Sequence, residues 1–165
     1  MISDSLPGAR RERIPMINIS VSAFVAAPRK TVMDVYMDYE KWPSFFPAIK
    51  AVRMIRREGG RLVLAVNHVE GPVINELLVR WPDEIELWER KRRYDGHFRN
   101  RFETVGAGTR FVVRAEIELR RHLRLLQPFV CGYAKRRIAR FQVTPVRLEA
   151  EARASACDRS VECCN

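Results

Sequence analysis

Three polar side chains occupy inward-facing positions of predicted β-strands, where apolar residues are expected. Strand alternation places His68, Asn75 and Asn100 on the apolar faces of three different strands. A few placed polar groups in an apolar wall orient a bound ligand, and a histidine titrates near neutral pH, so it can act as a general acid or base. We therefore predict that these residues make the polar contacts of an apolar binding cavity. The alternative is that each satisfies backbone groups or solvent at a strand end or bulge.

Aromatic side chains are more numerous than a minimal core requires, and most are expected to be core residues. The corner between Trp42 and Phe46 combines one Pro residue with three aromatic ones, and it could form a cavity entrance. The aromatic residues predicted to contact a ligand are Trp42, Phe46, Trp81, Phe98, Phe102 and Tyr133.

Motifs for metal, cofactor or nucleophilic chemistry are missing from the sequence. It contains no Gly-rich phosphate loop, no His-Glu-x-x-His and no Gly-x-Ser-x-Gly. The four cysteines, Cys131, Cys157, Cys163 and Cys164, form no Cys-x-x-Cys pair. We predict reduced thiols, no metal and no cofactor, and we assign no catalytic residue.

The periodicity predicts one strand, two short helices, six further strands and one long helix. The first strand is Met16–Val25, and a helix starts at Ala27-Pro28 with apolar residues at helical spacing. The long helix covers Leu123–Ala154, with Pro145 kinking or splitting it and Arg137 on its polar face. Short turn signals between the six later strands imply an antiparallel meander. These strands are predicted at Ala51–Arg57, Leu62–Val69, Val73–Trp81, Glu84–Arg90, Tyr94–Val105 and Thr109–Leu119.

Length and composition indicate one domain. The 165 residues divide into a flexible N-terminal tail at 1–15, a domain at 16–154 and a Cys-containing C-terminal tail at 155–165. The net charge of +10 comes from Arg residues spread along the chain, which favours solvated faces over a nucleic-acid site. No apolar run fits a signal peptide or a membrane span, so the sequence predicts a soluble, cytoplasmic protein with no transmembrane segment.

The order of these elements, with Ala-Ala-Pro-Arg at 26–29 and Tyr-Glu-Lys-Trp-Pro-Ser-Phe-Phe-Pro at 39–47, resembles the START-like, helix-grip (SRPBCC) superfamily. Within it, the sequence is similar to the polyketide cyclase/dehydrase and lipid-transport branch. The resemblance implies an α+β helix-grip fold, in which a curved seven-stranded antiparallel sheet surrounds a long C-terminal helix and two short helices follow strand 1. It also implies a deep pocket for polyketides, sterols, isoprenoid quinones, hormones or lipids.

The resemblance also allows a test for cyclase chemistry. Aromatase/cyclases of this type have a pocket tyrosine after the Trp-Pro turn and a pocket arginine after a glycine in a middle strand. Those positions align with Ile49 and Pro72, which can neither donate a proton nor pair with an enolate.

Three functions follow from these observations, in order of preference. The first is binding of an apolar small molecule, such as a lipid, an isoprenoid or a polyketide-like compound, in a cavity between the sheet and the C-terminal helix. The second is a polyketide cyclase or dehydratase acting on a chain held by an acidic carrier protein, which a basic surface would attract. The third is a ribosome- or RNA-associated module, with nucleic acid as the partner.

Overall fold

Seven strands form a single antiparallel sheet in the computed structural model, which describes residues 16–162 and side chains up to Cys157. The predicted tail at 1–15 and the pair Cys163 and Cys164 lie outside the described residues. The sheet order is β1-β7-β6-β5-β4-β3-β2, so β2 to β7 form a meander and β1 pairs with β7. The strands are β1 Met16–Val25, β2 Ile49–Glu58, β3 Arg61–His68, β4 Gly71–Arg80, β5 Glu84–Arg90, β6 Tyr94–Val105 and β7 Gly108–Leu119.

Short turns produce the meander, because connections of this length can only join antiparallel neighbours. Gly59 and Gly106 each occupy a turn with positive φ, at 55° and 58°, a conformation that side chains with a Cβ rarely adopt. The predicted seven-stranded antiparallel sheet is confirmed, and the bounds of β1, β5 and β6 coincide with those predicted.

The helices follow the predicted order. After β1 come α1 (Arg29–Met37), a 3₁₀ turn (Tyr39–Lys41) and α2 (Trp42–Phe45). After β7 the chain forms a 3₁₀ segment (Arg121–Leu126), α3 (Gln127–Ile138), a π turn (Ala139–Val143) and α4 (Thr144–Glu162). The helix is thus interrupted just before Pro145, as predicted. Proline lacks an N–H and crowds the carbonyl four residues earlier, which the wider π turn accommodates.

The core lies between the inner face of the sheet and the helices. From α4, Val146 and Ala150 are fully buried, and α1, which packs on α4, buries Val32 and Val35. By contrast, Ile138 is the one buried residue of α3. Because α3 packs so lightly, cavities remain between it and the sheet. No helix among residues 16–162 has the length and apolar character needed to cross a membrane.

Candidate functional site

A small cavity lies between the inner face of β3 to β6 and the junction of α3 with the π turn. Its volume is about 140 Å³. It is lined by the apolar residues Trp42, Phe46, Ala48, Ile49, Val66, Val73, Leu87, Phe98, Ile138 and Phe141 and by the polar residues Tyr36, His68, Asn75, Glu89, Lys91, Tyr94, Arg137 and Gln142. We call this space the inner cavity.

A second cavity of about 450 Å³ lies on the other side of a shared wall, and we call it the outer cavity. The wall consists of Tyr94, Phe98, Arg137 and Ile138, which line both spaces. The remaining lining of the outer cavity is mostly apolar and comes from β7 and the helical segment: Ile117, Leu119, Leu123, Leu126, Val130, Tyr133 and Ala134, with Glu70 and Arg93. Together the two spaces reach the size range of sites for small organic ligands.

Asn75 points into the inner cavity from β4. The residue is 5% exposed, and its Oδ1 atom has no hydrogen-bond partner among the described residues. Buried polar atoms nearly always have partners, and an unpaired one costs about 1–3 kcal/mol. Asn75 therefore presents a buried acceptor that a ligand donor can satisfy.

His68 lines the same cavity at the end of β3, with 13% of its side chain exposed. Burial lowers its pKa to about 4, and the positive charges of Lys91 and Arg137 act in the same direction, against the opposing effect of Glu70. The ring is therefore neutral at pH 7. Its Nδ1 atom accepts a hydrogen bond from the Glu70 backbone N–H at 3.3 Å, so the ring proton resides on Nε2 and can be donated to a ligand.

Asn100 lies beneath the cavity wall and does not line it. Its Nδ2 atom donates to the Ile85 carbonyl at 3.0 Å, and its Oδ1 atom accepts from Gln142 Nε2 at 2.9 Å. Gln142 Nε2 also donates to the Tyr36 hydroxyl oxygen at 2.9 Å, and both residues line the cavity. Asn100 therefore positions Gln142, and Tyr36 can donate its own O–H into the cavity. Burial raises the pKa of Tyr36, so this hydroxyl stays protonated.

The structure brings together three of the six aromatic residues predicted to contact a ligand. Trp42, Phe46 and Phe98 line the inner cavity. Two predictions require correction. Phe102 is fully buried and stacks on Phe111 with ring centroids 5.0 Å apart, so it belongs to the core. Trp81 was expected to face inwards, but β4 ends at Arg80, and Trp81 is 64% exposed in the following turn.

Tyr133 faces the outer cavity and solvent. Its side chain is mostly exposed, and its hydroxyl accepts a hydrogen bond from Arg137 Nη1 at 2.9 Å. Arg137 itself was predicted on the polar face of the helix, but it lies in the wall between the two cavities. It also pairs with Glu70, and its guanidinium lies 5.3 Å from the Phe141 ring centre.

Sequence reasoning missed a network of charged residues at the edge of the inner cavity. Lys91 Nζ lies 3.6 Å from both Glu70 Oε2 and Glu89 Oε2. The Tyr94 hydroxyl donates to Glu89 Oε1 at 2.6 Å. Burial and the adjacent Glu89 carboxylate raise the pKa of Tyr94, so the hydroxyl remains a donor. Partial burial raises the pKa of Glu70, but Lys91 and Arg137 outweigh that effect, and the net shift is downward.

Two patterns could have revealed this network. Strand alternation through the buried Leu87 places Glu89 on the inner face of β5 and Lys91 immediately beyond it. Arg137 lies four residues after Tyr133 and four before Phe141, which is the spacing of neighbours on one helix face. In both cases a charged residue occupies the inward-facing position, whereas an apolar residue there would have shown directly that the position faces inwards.

The two positions aligned with the cyclase pattern differ in their surroundings. Ile49 lines the inner cavity, whereas Pro72 is exposed on the outer face of β4. The arginine that this cavity does contain, Arg137, comes from α3 on the opposite wall.

The inner cavity combines apolar walls with one unpaired acceptor, on Asn75, and two donors, on His68 and Tyr36. This combination suits an apolar molecule carrying a few oxygen functions.

Comparisons with known proteins agree with this arrangement. A family profile described as "Polyketide cyclase / dehydrase and lipid transport" matches residues 25–147. No curated protein sequence is significantly similar to the chain.

Among solved structures, the di-domain ARO/CYC StfQ of the steffimycin biosynthetic pathway superimposes with a TM-score of 0.74 at 14% identity. That match covers 88% of this chain and 53% of StfQ, so the chain spans about half of that relative's length. The Zhui aromatase/cyclase from a Streptomyces species gives a TM-score of 0.71 at 18% identity, covering 84% of this chain and 96% of that one. A START superfamily protein from Mycobacterium smegmatis gives 0.63 at 19% identity, covering 85% and 98%. These likenesses show the helix-grip fold.

Proposed function

Because the chain belongs to the polyketide cyclase/dehydrase and lipid-transport family, we propose that it binds a hydrophobic or aromatic small molecule between the sheet and α3. The observation that carries this proposal is the unpaired Asn75 Oδ1 atom, buried in the wall of the inner cavity. A ligand hydroxyl or N–H would remove the cost of that unpaired acceptor on binding. The apolar lining supplies affinity, since burial of apolar surface contributes about 25 cal/mol per Å².

The polar groups define the chemistry of the ligand more closely. Asn75 requires a donor, while His68 Nε2 and the Tyr36 hydroxyl offer protons to an acceptor. Phenols, hydroxylated isoprenoids and polyketide-like molecules carry both kinds of group. A purely hydrocarbon ligand would leave Asn75 unsatisfied, and an anionic one would find no unpaired cation among the groups that line the inner cavity, because Lys91 and Arg137 already contact Glu70.

A pair of simple probes tests this proposal. We expect 1-naphthol to bind more tightly than 1-methoxynaphthalene, which has no hydroxyl proton, by about fivefold, the value of one neutral hydrogen bond near 1 kcal/mol. Asn75→Leu should remove that preference while retaining binding of the ether. Calorimetry measures both affinities directly, and an equal preference in the wild type and in Asn75→Leu would contradict the role of Asn75.

A matched pair of variants tests the location of the site. Val73 faces the inner cavity and Ile74, its neighbour in β4, faces outwards. Val73→Phe should fill the cavity and weaken binding of 1-naphthol at least about tenfold, by loss of buried apolar contact area, and Ile74→Phe should leave it unchanged. Equal effects of the two substitutions would place the ligand elsewhere.

A second candidate function is proton transfer on a polyketide chain presented by an acidic carrier protein. The specific observation in its favour is the neutral His68, with a pKa of about 4, lining a cavity that also contains Glu89 and Tyr94. Because Nδ1 already accepts the Glu70 N–H, the ring can act only as a donor, with Nε2–H stabilising the enolate oxygen of the reacting chain, and the Glu89 carboxylate is then the acceptor of the proton. If this function holds, His68→Asn should lower turnover of a carrier-bound poly-β-ketone at least about tenfold more than it weakens 1-naphthol binding, because the donor acts on charge that develops in the reaction. Unchanged turnover would exclude His68 as that donor.

A further inference from the structure

The segment that covers the outer cavity exposes large apolar side chains. Leu125 is 92% exposed and Phe129 is 79% exposed, and both project from the surface at the start of α3. Leu126 and Tyr133, which form the rim of the outer cavity, are exposed by half or more. Single exposed apolar residues are common, but four within nine positions on one segment form a patch that marks an interaction site.

The same segment has a one-sided charge. The sequence from Leu119 to Leu148 contains no Asp or Glu, and eight Arg or Lys residues lie within it. Four of these, Arg121, Lys135, Arg136 and Arg140, form no ion pair with any described residue, and all four are exposed. Exposed cationic side chains thus lie both before and after Leu125 and Phe129 along the segment.

We propose that this face, formed by Arg121, Leu125, Phe129, Lys135 and Arg136, docks the protein on an anionic membrane surface. A helix with Leu and Phe on one side and Arg and Lys beside them lies in the headgroup region, inserting the apolar side chains while the cations contact anionic lipids. The protein would bind the surface without crossing it. This inference goes beyond ligand binding and stands or fails without it.

Geometry connects the face to the outer cavity. Leu126 and Tyr133 belong to the exposed segment and also line that cavity, so docking would bring the cavity mouth to the acyl-chain boundary. An apolar molecule could then pass between the bilayer and the protein without crossing water. A protein partner is less suited to this face, because Leu125 and Phe129 are 92% and 79% exposed, whereas the residues that carry most of the energy of a protein interface usually sit in well-packed pockets.

Vesicle flotation tests the proposal with the full chain. We expect binding to phosphatidylcholine vesicles containing about 30% phosphatidylglycerol, and little binding to pure phosphatidylcholine, because the attraction is largely electrostatic. Raising NaCl from about 50 to about 300 mM should weaken binding at least about fivefold, since exposed charges are screened. Equal binding to both kinds of vesicle, or to neither, would overturn the proposal.

Matched variants separate this face from general surface charge. Leu125→Ser with Phe129→Ser should weaken vesicle binding at least about tenfold, by loss of inserted apolar area, whereas the equally apolar exposed pair Ile55→Ser with Trp81→Ser should not. Arg121→Gln, Lys135→Gln and Arg136→Gln together should also weaken it, by about a hundredfold when each cation at the surface contributes about fivefold. The comparison triple, Arg53→Gln, Arg57→Gln and Arg110→Gln, removes the same charge from exposed strand positions. A similar loss in both triples would overturn the proposal in favour of nonspecific attraction.

Two further outcomes would assign the face to another occupant. Size-exclusion chromatography should give the same elution volume for the wild type and the Leu125→Ser, Phe129→Ser variant. A shift from dimer to monomer, without vesicle binding by the wild type, would assign the face to a second copy of the chain. Binding of an acidic carrier protein through the same residues, again without vesicle binding, would assign it to that partner. Val73→Phe should still bind vesicles, so failure of the ligand site and failure of membrane docking are distinguishable.

Discussion

The neutral state of His68 should make folding stability fall as the pH is lowered. The pKa is 6.5 in the unfolded chain and about 4 in the folded protein, because burial and the charges of Lys91 and Arg137 disfavour the protonated ring. Between these values the unfolded chain binds a proton that the folded protein does not. Uptake of this proton favours the unfolded chain. The full free energy of unfolding is therefore present above about pH 6.5, and part of it is lost progressively as the pH falls towards 4. At pH 5 these two pKa values predict a loss of about 2 kcal/mol in the free energy of unfolding, relative to neutral pH. Because part of the ring is exposed to solvent, we expect a loss of about 1–2 kcal/mol.

Urea unfolding at about pH 7.5 and about pH 5.0 measures this loss when the wild type is compared with His68→Asn. Asparagine keeps an acceptor near the position of Nδ1 for the Glu70 N–H but does not titrate. The wild type should lose about 1–2 kcal/mol more than the variant over this pH interval. Other titrating groups are common to both proteins and cancel in the difference. His122→Asn, at an exposed position, should behave like the wild type. Equal losses in the wild type and His68→Asn would refute the assignment of a buried, neutral His68.

Three other substitutions should have distinct effects on stability. Asn75→Leu should raise the free energy of unfolding without ligand by about 1 kcal/mol, seen as a rise of about 2–4 °C in Tm, because it removes an unpaired buried acceptor; a fall would mean that Oδ1 has a partner. Phe102→Ala should cost about 3–5 kcal/mol in urea unfolding by opening a cavity in the core, whereas Trp81→Ala should cost less than about 0.5 kcal/mol; similar costs would contradict the two placements. Arg137→Gln should cost about 1 kcal/mol through loss of its contacts with Glu70 and Tyr133, and Arg136→Gln, at an exposed position, should be neutral within about 0.5 kcal/mol.

The sheet was predictable because local signals agreed with one another. Alternation identified Met16–Val25 as a strand, and turn signals between strands gave the bounds of β5 and β6. Turn residues such as Gly59 and Gly106 marked the hairpins, and their spacing excluded parallel crossovers. Trp81 was misplaced because alternation was extended one residue too far, through the turn where β4 ends.

The site was less predictable, because its polar residues come from elements that meet only in the folded protein. Asn75 was accessible from the pattern of a single strand, and it does line the cavity. Lys91 pairs with Glu89 and Glu70, and Arg137 pairs with Glu70. Local patterns could have placed some of these residues on inner faces, but the pairing between separate elements exists only in the folded protein. On a long amphipathic helix, residues at the boundary between the apolar and polar faces cannot be assigned to either face from the sequence. Arg137 lies at that boundary, where its aliphatic stem can line a cavity while its guanidinium reaches a carboxylate.

The wall between the two cavities limits what a ligand can do. Tyr94 and Phe98 come from β6, on either side of Gly96, where an added Cβ would lie 2.7 Å from the Phe98 ring. This half of the wall is therefore close-packed. The other half, Arg137 and Ile138, belongs to α3, which buries little else and ends at the π turn. A ligand larger than either cavity is therefore expected to join them by displacing α3 and not the sheet.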